Sequence, residues 1–508
     1  MNNNLKWNFI ATKKKQDAYE NIIDKLNPCS SEEFNTLSEE QKNKILDDMI
    51  KEIRKINIFP IYYFNDEGIR EEIRKSIDKK VCFSGESLDI LFSQGLLLLD
   101  FLFPNLHKVE VGDYKNRSIY DRFYDDEMLK ECLKIALSSR KINNMRTAFF
   151  MGSRFLWRSA TNYSPMRAKA IYERFCPKDG VIYDYSAGFG GRMLGALSSS
   201  YNFKYIATEP NTETYHNLLK LGQYIEQETK RANSYKVYNE CSEDLKLEPE
   251  FADFIFSCPP YFNLEKYSDE ETQSMNKFPN YEEWLEGYVR PTIKNSFYML
   301  KKEGLYGVNI VNFWNKAKKY YLTNDWLKIA EEEGFYLKGV YSISSKARKK
   351  KDEDQDRIYI FSKNKDYELP NYTDAEMLEY WDKKVKDYEE KKKKKDAVIV
   401  KFNFLGELED RFENILQISN KYNIEDVKKS IKTKKKCKEY NCYFRSFAPD
   451  DIIPLMIEDI KKPVCEIDGI IFETGVAAAE YLKTPKQTVS QAKQRKSKKI
   501  LGHEVKWF

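Results

Sequence analysis

The sequence predicts a doubly wound α/β domain that lies between an N-terminal helical region and small C-terminal repeats. In the first 150 residues, apolar residues recur every three to four positions, as on one face of a helix. From about residue 165, short β-rich runs alternate with amphipathic helical stretches. This alternation is typical of a mostly parallel sheet with helices on both faces. Near the C-terminus, a weak repeat of roughly 60 residues follows a strongly charged stretch.

These patterns divide the chain into four parts. We expect a helical region over residues 1–150, the α/β domain over 151–363, a charged linker helix over 364–396 and tandem repeats over 397–508. Lys, Glu and Asp dominate the linker, as on a solvated helix. Within the α/β domain, strands are predicted at 181–184, 204–208, 236–238, 253–257, 306–311, 335–341 and 357–361, and helices at 191–197, 213–227, 281–300 and 324–333.

Composition excludes several classes of protein. The chain has 508 residues, of which 41% are apolar, and its 35 Tyr and 31 Phe predict a packed core. Its 85 basic and 80 acidic residues nearly balance, so the net charge of +5 does not by itself indicate a nucleic-acid partner. We find neither a membrane span nor a secretory signal, and we expect a cytoplasmic protein with reduced cysteines and no metal site.

A glycine-rich segment follows the first predicted strand. The sequence Asp-Tyr-Ser-Ala-Gly-Phe-Gly-Gly-Arg at 184–192 connects that strand to a helix, at the sheet edge where doubly wound folds bind ligands. Glycines allow a close approach of the backbone, although a plain tight turn has the same pattern. Glu209 follows the second strand, where a carboxylate can accept hydrogen bonds from both hydroxyls of a ribose. It can equally cap the next helix.

A second motif, Cys258-Pro259-Pro260-Tyr261, ends the predicted strand at 253–257. Together the two motifs resemble those of the S-adenosylmethionine-dependent amino-methyltransferases of DNA, over about residues 155–363. The resemblance implies a Rossmann-like class I methyltransferase domain that acts on N4 of cytosine or N6 of adenine. It implies catalytic roles for the four motif residues.

The same resemblance implies a set of residues that bind S-adenosylmethionine. The glycine loop holds the methionine part of the cofactor, Glu209 binds the ribose, the residues after the third strand frame the adenine, and the segment before the first strand completes the site. By position in this sequence, the remaining cofactor residues are Ser164, Pro165, Asp184, Ala187, Gly188, Gly190, Ser242 and Glu243.

The chemistry of amino methylation agrees with this motif. An exocyclic amine is a poor nucleophile because its lone pair is delocalised into the base, and acceptors on the amino hydrogens help to localise it. The carbonyl of Pro259 supplies one acceptor, and Tyr261 supplies a ring on which an extruded base can stack. Cys258 departs from the family pattern, which has Asp, Asn or Ser there, and a thiol is a weak acceptor.

That departure leaves alternatives open. Cys258 could be an inert buried thiol or a hydrogen-bonding substitute for the usual first residue of the motif. It could instead add to a pyrimidine ring and enable carbon-5 methylation of cytosine. The chain could also be a DNA-binding protein whose methyltransferase domain is inactive, or it could methylate RNA or protein.

Three segments are candidates for contact with DNA. One is the basic loop at 344–351 and another is the polar loop at 263–280. The third comprises the C-terminal repeats, in which Asp468-Gly469 and a helix-turn-helix pattern resemble the modular DNA-binding repeats of intron-encoded nucleases. Clustered lysines in both repeats are suited to phosphates. The cysteines of this region and His503 fit no standard zinc finger.

Overall fold

A computed structural model of the chain describes residues 13–26, 30–81, 93–112, 117–139, 144–342 and 356–369, and then 398–403, 407–412, 422, 424–434, 440, 442–447, 465–468, 470–472 and 474–507. The chain forms two compact units, Met1–Asp374 and Ala375–Phe508. Of the helices in these ranges, none is both long and apolar enough to cross a membrane. The predicted basic loop at 344–351 and most of the predicted linker lie outside the described residues.

The first unit is built on one seven-stranded sheet with the order β10-β11-β7-β5-β2-β3-β4. All its neighbouring strands are parallel except β11, which runs antiparallel to β7 and β10. The strands are β2 Val181–Asp184, β3 Lys204–Thr208, β4 Tyr235–Tyr238, β5 Ala252–Ser257, β7 Leu300–Ile310, β10 Tyr336–Ser342 and β11 Arg357–Ser362. The α/β prediction is confirmed, because all seven predicted strands lie in this sheet.

Helices alternate with these strands along the chain. They are α9 Pro165–Phe175, α10 Gly191–Leu197, α11 Thr212–Thr229, α12 Ser274–Lys277, α13 Tyr281–Trp284, α14 Arg290–Met299 and α15 Leu322–Glu332. The helix predicted at 281–300 is interrupted by a π-helical turn, Leu285–Val289. Pro291 lies two residues after this turn, and because proline has no N–H to donate, it disrupts the regular hydrogen-bond ladder.

Two short two-stranded pairs lie outside the main sheet among the described residues, and the sequence did not predict them. β1 Glu110–Val111 pairs with β6 Glu265–Lys266, which follows the Pro-Pro-Tyr turn. β8 Phe313–Asn315 pairs with β9 Lys318–Tyr320. Both pairs are antiparallel, and both involve chain close to the carboxyl edge of the sheet.

Helices dominate the described residues before the sheet. They are α1 Lys13–Leu26, α2 Ser31–Thr36, α3 Glu39–Ile56, α4 Asp66–Asp78, α5 Leu96–Leu102, a 3-10 turn Pro104–Lys108, α6 Ile119–Tyr124, α7 Asp126–Ser139 and α8 Met145–Leu156. Ser30 and Ser38 cap α2 and α3 with complete capping boxes. Residues of α4 and α5, such as Ile73 and Leu99, share one core with Leu194 of α10.

A buried lysine ties this helical region to the sheet domain. Lys169 of α9 is 3% exposed, and its Nζ donates to the carbonyls of Ser76, Ile77 and Lys79 at 3.1, 3.0 and 2.8 Å. These carbonyls lie at the C-terminal end of α4, where the helix dipole favours a cation. Burial lowers the pKa of Lys169, and nearby carboxylates oppose that shift.

The second unit contains two small antiparallel sheets, each with helices. The first has the order β13-β12-β14 and is accompanied by α16 Ile424–Thr433. The second has the order β16-β15-β18-β17 and packs α17 Gly475–Tyr481 and α18 Lys486–Gln494 through residues such as Ala478 and Val489. The strands are β12 Val398–Phe402, β13 Leu408–Phe412, β14 Tyr443–Phe447, β15 Cys465–Ile467, β16 Ile470–Phe472, β17 Lys499–Ile500 and β18 His503–Trp507. The four-part domain division and the function of these repeats stay predictions.

We expect Lys169→Met to destabilise the first unit by roughly 2–4 kcal/mol, because it leaves three carbonyls at the end of α4 without their donor. Urea unfolding followed by tryptophan fluorescence measures the loss. Lys220→Met, at an exposed position of α11, is the matched control and should change the stability by less than about 0.5 kcal/mol. If the two substitutions lower the stability equally, the hydrogen bonds of Lys169 do not hold the end of α4 against α9.

Candidate functional site

The two predicted motifs meet at the carboxyl edge of the sheet. β2 and β5 are parallel neighbours, so the glycine loop after β2 and the Pro-Pro-Tyr turn after β5 lie side by side. A cavity of about 320 Å³ opens between them, within the roughly 300–1,000 Å³ range of small-molecule sites. Nine of the predicted site residues line it, namely Ala187, Gly188, Glu209, Ser242, Glu243, Cys258, Pro259, Pro260 and Tyr261.

The glycine loop and the end of β3 are joined through Glu209. Its Oε2 accepts a hydrogen bond from the backbone N–H of Gly188 at 2.8 Å, and its Oε1 accepts one from Asn211 at 3.0 Å. Gly188 has φ +59°, which favours glycine, and a Cβ built on it meets nothing closer than 3.7 Å. The Glu209 carboxylate therefore lies against the loop, in the cavity wall.

Burial changes the acidity of this carboxylate. Desolvation raises the pKa of Glu209 to about 7, against the two backbone hydrogen bonds that lower it. Near neutral pH, the carboxyl group is therefore divided between its neutral and ionised forms. A ligand that donates hydrogen bonds to both oxygens would favour the ionised form.

Asp184, one of the predicted cofactor residues, lies behind the cavity and does not line it. The residue is fully buried and accepts hydrogen bonds from Arg192 Nε at 2.7 Å, the Tyr205 hydroxyl at 2.7 Å and the Ser257 hydroxyl at 2.8 Å. Arg192 also donates to the carbonyl of Ser186. Burial by itself would lower the pKa of Arg192, but the Asp184 carboxylate raises it well above its usual value.

Three other predicted cofactor residues also lie outside the cavity lining. A Cβ on Gly190 would lie 2.7 Å from the ring of Phe103 and 2.8 Å from Leu221, so helix packing, and not a ligand, requires glycine there. The Ser164 hydroxyl caps α9, and Pro165 is the first residue of that helix. These residues shape the loops that border the cavity.

The segment before α9 nevertheless reaches the cavity through Asn162 and Tyr163. The Asn162 side chain donates to the carbonyl of Phe189 at 2.6 Å, and a Cβ on Gly191 would lie 2.0 Å from the Tyr163 carbonyl. The buried Tyr163 hydroxyl has no hydrogen-bond partner among the described residues. Because this oxygen has almost no accessible surface, other parts of Tyr163 line the open cavity.

Ser242 and Glu243 form the opposite wall. The Ser242 hydroxyl lies 3.0 Å from the Thr292 hydroxyl, and the Asn295 amide donates to both backbone carbonyls at 3.2 and 3.1 Å. Burial raises the pKa of Glu243, and its ion pair with Lys277, at 2.8 Å, opposes that shift. This wall is therefore rigid and polar.

A group of potential metal ligands next to this wall is bonded to a lysine. One ligand atom each from Cys241, Glu243 and Asp244 lies within 4.8 Å of the others. Lys277 bonds both carboxylates, at 2.8 and 2.7 Å. The ammonium group thus supplies one positive charge to the two carboxylates.

The Pro-Pro-Tyr turn is held by aromatic packing. The Tyr261 ring stacks on Phe313 with centroids 5.8 Å apart and an interplanar angle of 23°. Phe262 has φ +43°, a strained conformation for a residue that is not glycine, and its buried ring contacts Trp284 and Tyr320. The strain is tolerated because this anchor holds the turn, and it fixes Tyr261 in the cavity wall.

Cys258 is partly buried, and its thiol is less acidic than a free one. Its Sγ lies 4.0 Å from the Tyr261 hydroxyl, and desolvation raises its pKa to about 12. The thiol is therefore protonated at neutral pH, and the Arg192 charge, which lowers the pKa, does not reverse this. A protonated thiol is a weak nucleophile.

Two carboxylates that line the cavity, those of Asp356 and Glu265, were not predicted from the sequence. Asp356 directly precedes β11, and its Oδ1 accepts a hydrogen bond from Asn309 of β7 at 2.6 Å. Glu265 accepts one from the Tyr267 hydroxyl, and burial raises its pKa. Both carboxylates also raise the pKa of Cys258, which places them near the motif. The only signal for Asp356 was its position at a strand end, and the acidic run before it resembles a solvated loop.

We expect Asp184→Asn to destabilise the first unit by about 3–5 kcal/mol, because the buried Arg192 loses its counter-charge. Tyr205→Phe removes only one hydrogen bond to the same carboxylate and should cost about 1 kcal/mol. Urea unfolding of both variants measures the difference. An Asp184→Asn protein as stable as wild type would show that the network does not support this edge of the sheet.

No family model and no curated protein matches the sequence. Solved structures do resemble part of it. A TehB-like SAM-dependent methyltransferase from Corynebacterium glutamicum is 15% identical, with 40% of this chain and 90% of that chain covered and a TM-score of 0.27. A methyltransferase from Pyrococcus furiosus is 18% identical, with 39% and 83% covered and a TM-score of 0.27.

A third structure similar to this chain contains a cofactor product. The geranyl diphosphate C-methyltransferase from Streptomyces coelicolor, in complex with Mg²⁺, geranyl diphosphate and S-adenosyl-L-homocysteine, is 9% identical, with 39% and 78% covered and a TM-score of 0.28. Likeness at this level does not identify a substrate or a reaction. Both are therefore inferred from the residues of this chain.

Proposed function

We propose that the protein transfers a methyl group from S-adenosylmethionine to the exocyclic amino group of an adenine or cytosine that has left the DNA duplex. One observation carries this proposal. The Glu209–Gly188 pair and the Pro259-Pro260-Tyr261 turn, which come from different strand ends, line one cavity. Cofactor and substrate groups can therefore meet in a single enclosed space.

The cavity residues fit an adenosyl cofactor. Glu209 offers two carboxylate oxygens to vicinal ribose hydroxyls, and the open space beside Gly188 leaves the loop accessible. The rigid wall at Ser242 and Glu243 supplies further polar groups. When bound, S-adenosylmethionine supplies an electrophilic methyl group.

The substrate amine would be held by the Pro-Pro-Tyr turn. Pro259 offers a backbone carbonyl to one amino hydrogen, and Tyr261 offers its ring to the base. The Asp356 carboxylate, fixed by Asn309, is an acceptor that can replace the side chain missing at Cys258. After the nitrogen has formed its new bond, the same carboxylate can take the proton that the nitrogen must lose.

The carbon-5 alternative has less support. It requires the thiolate of Cys258 as the nucleophile, and burial keeps this thiol protonated at neutral pH. The neighbouring carboxylates Asp356 and Glu265 disfavour the thiolate further. The inactive-domain alternative has no specific observation in its favour, since the cavity has walls from both motifs.

DNA as the substrate is supported by the C-terminal unit. Two short helices, α17 and α18, lie on a small sheet, and the second helix is followed by exposed basic residues that include Arg495 and Lys498. Clustered cations of this kind bind phosphates and make the affinity dependent on salt.

We expect cofactor affinity to rise with pH between 6 and 8. The carboxylate form of Glu209 accepts the ribose hydroxyls, and with a pKa of about 7 in the empty site its ionised fraction increases roughly tenfold over this range. Isothermal titration calorimetry with S-adenosylmethionine measures the affinity. Glu209→Gln should bind more weakly and lose most of this pH dependence.

The control for this experiment is Glu213→Gln, in the first turn of α11 and outside the cavity lining. It should keep both the affinity and the pH profile of wild type. An unchanged pH profile in Glu209→Gln would show that another group binds the ribose.

A second test concerns the turn. Tyr261→Ala should lower kcat roughly 10- to 100-fold by removing the stacking face, while cofactor affinity stays nearly unchanged. Tyr261→Phe keeps that face and should retain most of the activity. Methylation of mixed-sequence DNA with labelled cofactor gives the rates.

The variant Cys258→Ser distinguishes amino methylation from carbon-5 methylation. Amino methylation predicts an active enzyme, because a hydroxyl accepts a hydrogen bond at least as well as a thiol. Carbon-5 methylation predicts an inactive variant and covalent trapping of wild type on DNA with 5-fluorocytosine. That second pair of results would overturn the amino-methyltransferase proposal.

A further inference from the structure

The β8–β9 hairpin presents an aromatic ring and lysines to solvent beside the cavity. Trp314 is 49% exposed, and Lys316 and Lys318 are exposed as well. Phe313 and Tyr320, by contrast, are buried. The hairpin therefore has one face that packs on the domain and another that faces outward.

The buried face holds the hairpin against the Pro-Pro-Tyr turn. Phe313 stacks on Tyr261 at 5.8 Å and on Tyr320 at 4.9 Å. The Asn315 amide donates to the carbonyl and the side-chain oxygen of Asn263 at 2.9 and 3.0 Å. Since Asn263 lies two residues after Tyr261, the hairpin and the turn form one packed unit.

A second connection runs to the other side of the cavity rim. Exposed Arg158 donates from Nη1 to the carbonyl of Trp314 at 3.1 Å. Arg158 is followed closely by Ala160 and Thr161, which line the cavity. The hairpin therefore contacts the Pro-Pro-Tyr turn on one side of the cavity and the Arg158 segment on the other, and the Arg158 guanidinium lies next to the Trp314 backbone.

We propose that the β8–β9 hairpin holds the DNA beside the extruded base, with Trp314 stacking on exposed bases and Lys316, Lys318 and Arg158 binding phosphates. This inference rests on the proposed function, because the hairpin is placed at the site where that function needs a base to enter. Enzymes that act on a base must first unstack it, and a rigid aromatic ring can occupy or flank the gap.

The chemistry of the surface favours a nucleic acid over a protein partner. The segment 313–321 contains three lysines and no acidic residue. Its exposed apolar surface consists of flat aromatic rings, Trp314 and the 51% exposed Tyr321, without a wider aliphatic patch. Aromatic rings beside cations bind bases and phosphates together.

The test uses the full chain and a 40-base-pair mixed-sequence DNA duplex, with affinity measured by fluorescence anisotropy over a range of salt concentrations. Lys316→Ala/Lys318→Ala should reduce the slope of log affinity against log salt by about 1.8, since each phosphate contact contributes about 0.9. Trp314→Ala should weaken binding roughly 3- to 30-fold and leave the slope unchanged, because stacking releases no counterions.

Matched controls are available on the same unit. Lys178→Ala/Lys204→Ala removes two exposed lysines near the amino edge of the sheet, and Tyr336→Ala removes a 41% exposed aromatic ring on β10. Both should bind the duplex as wild type does. Calorimetry with S-adenosylmethionine should give wild-type affinity for every variant, which shows that each one is folded.

The possible outcomes distinguish a failure of the hairpin proposal from a failure of the proposed methylation. Unchanged slope and affinity in both hairpin variants, with DNA still bound by wild type, would overturn the hairpin proposal and leave the methyltransferase proposal intact. A tighter complex with an RNA duplex of the same sequence would overturn the commitment to DNA. If the hairpin variants lose DNA affinity and salt dependence as predicted, but the wild-type protein methylates no DNA, the hairpin remains a DNA contact and the proposed reaction is overturned.

Discussion

The buried ion pair between Asp184 and Arg192 is the interaction on which the site depends. Asp184 ends β2, and it also receives hydrogen bonds from Tyr205 of β3 and Ser257 at the end of β5. Burying a charge is costly unless it is paired and its lone pairs are satisfied, and these donors meet that condition. Because Ser257 directly precedes Cys258, the same network fixes the glycine loop and the Pro-Pro-Tyr turn relative to each other.

The helical region before the sheet also builds the site. Phe103 packs where a side chain on Gly190 would lie, and β1 pairs with β6 just after the Pro-Pro-Tyr turn. Lys169 fixes the end of α4 against α9. The cavity rim therefore depends on residues that precede the methyltransferase-like motifs, so the shape of the site requires the whole first unit.

Burial sets the charges inside the cavity. It raises the pKa of Glu209 to about 7 and that of Cys258 to about 12. One group can therefore ionise when a ligand binds, whereas the other stays neutral. In the proposed reaction, the Asp356 carboxylate near the motif would stabilise a positively charged sulfonium and the proton that the amine loses.

Local sequence patterns were enough to predict part of this molecule. The strand order along the chain, the glycine loop, Glu209 and the Pro-Pro-Tyr turn follow from hydrophobic periodicity and from motifs within a few residues of each other. Tertiary packing brings Phe103 against Gly190, Tyr205 and Ser257 onto the Asp184 carboxylate, and Phe313 and Asp356 to the surroundings of Tyr261. These contacts join residues far apart in the chain, and no local pattern specifies which distant side chains packing will bring together.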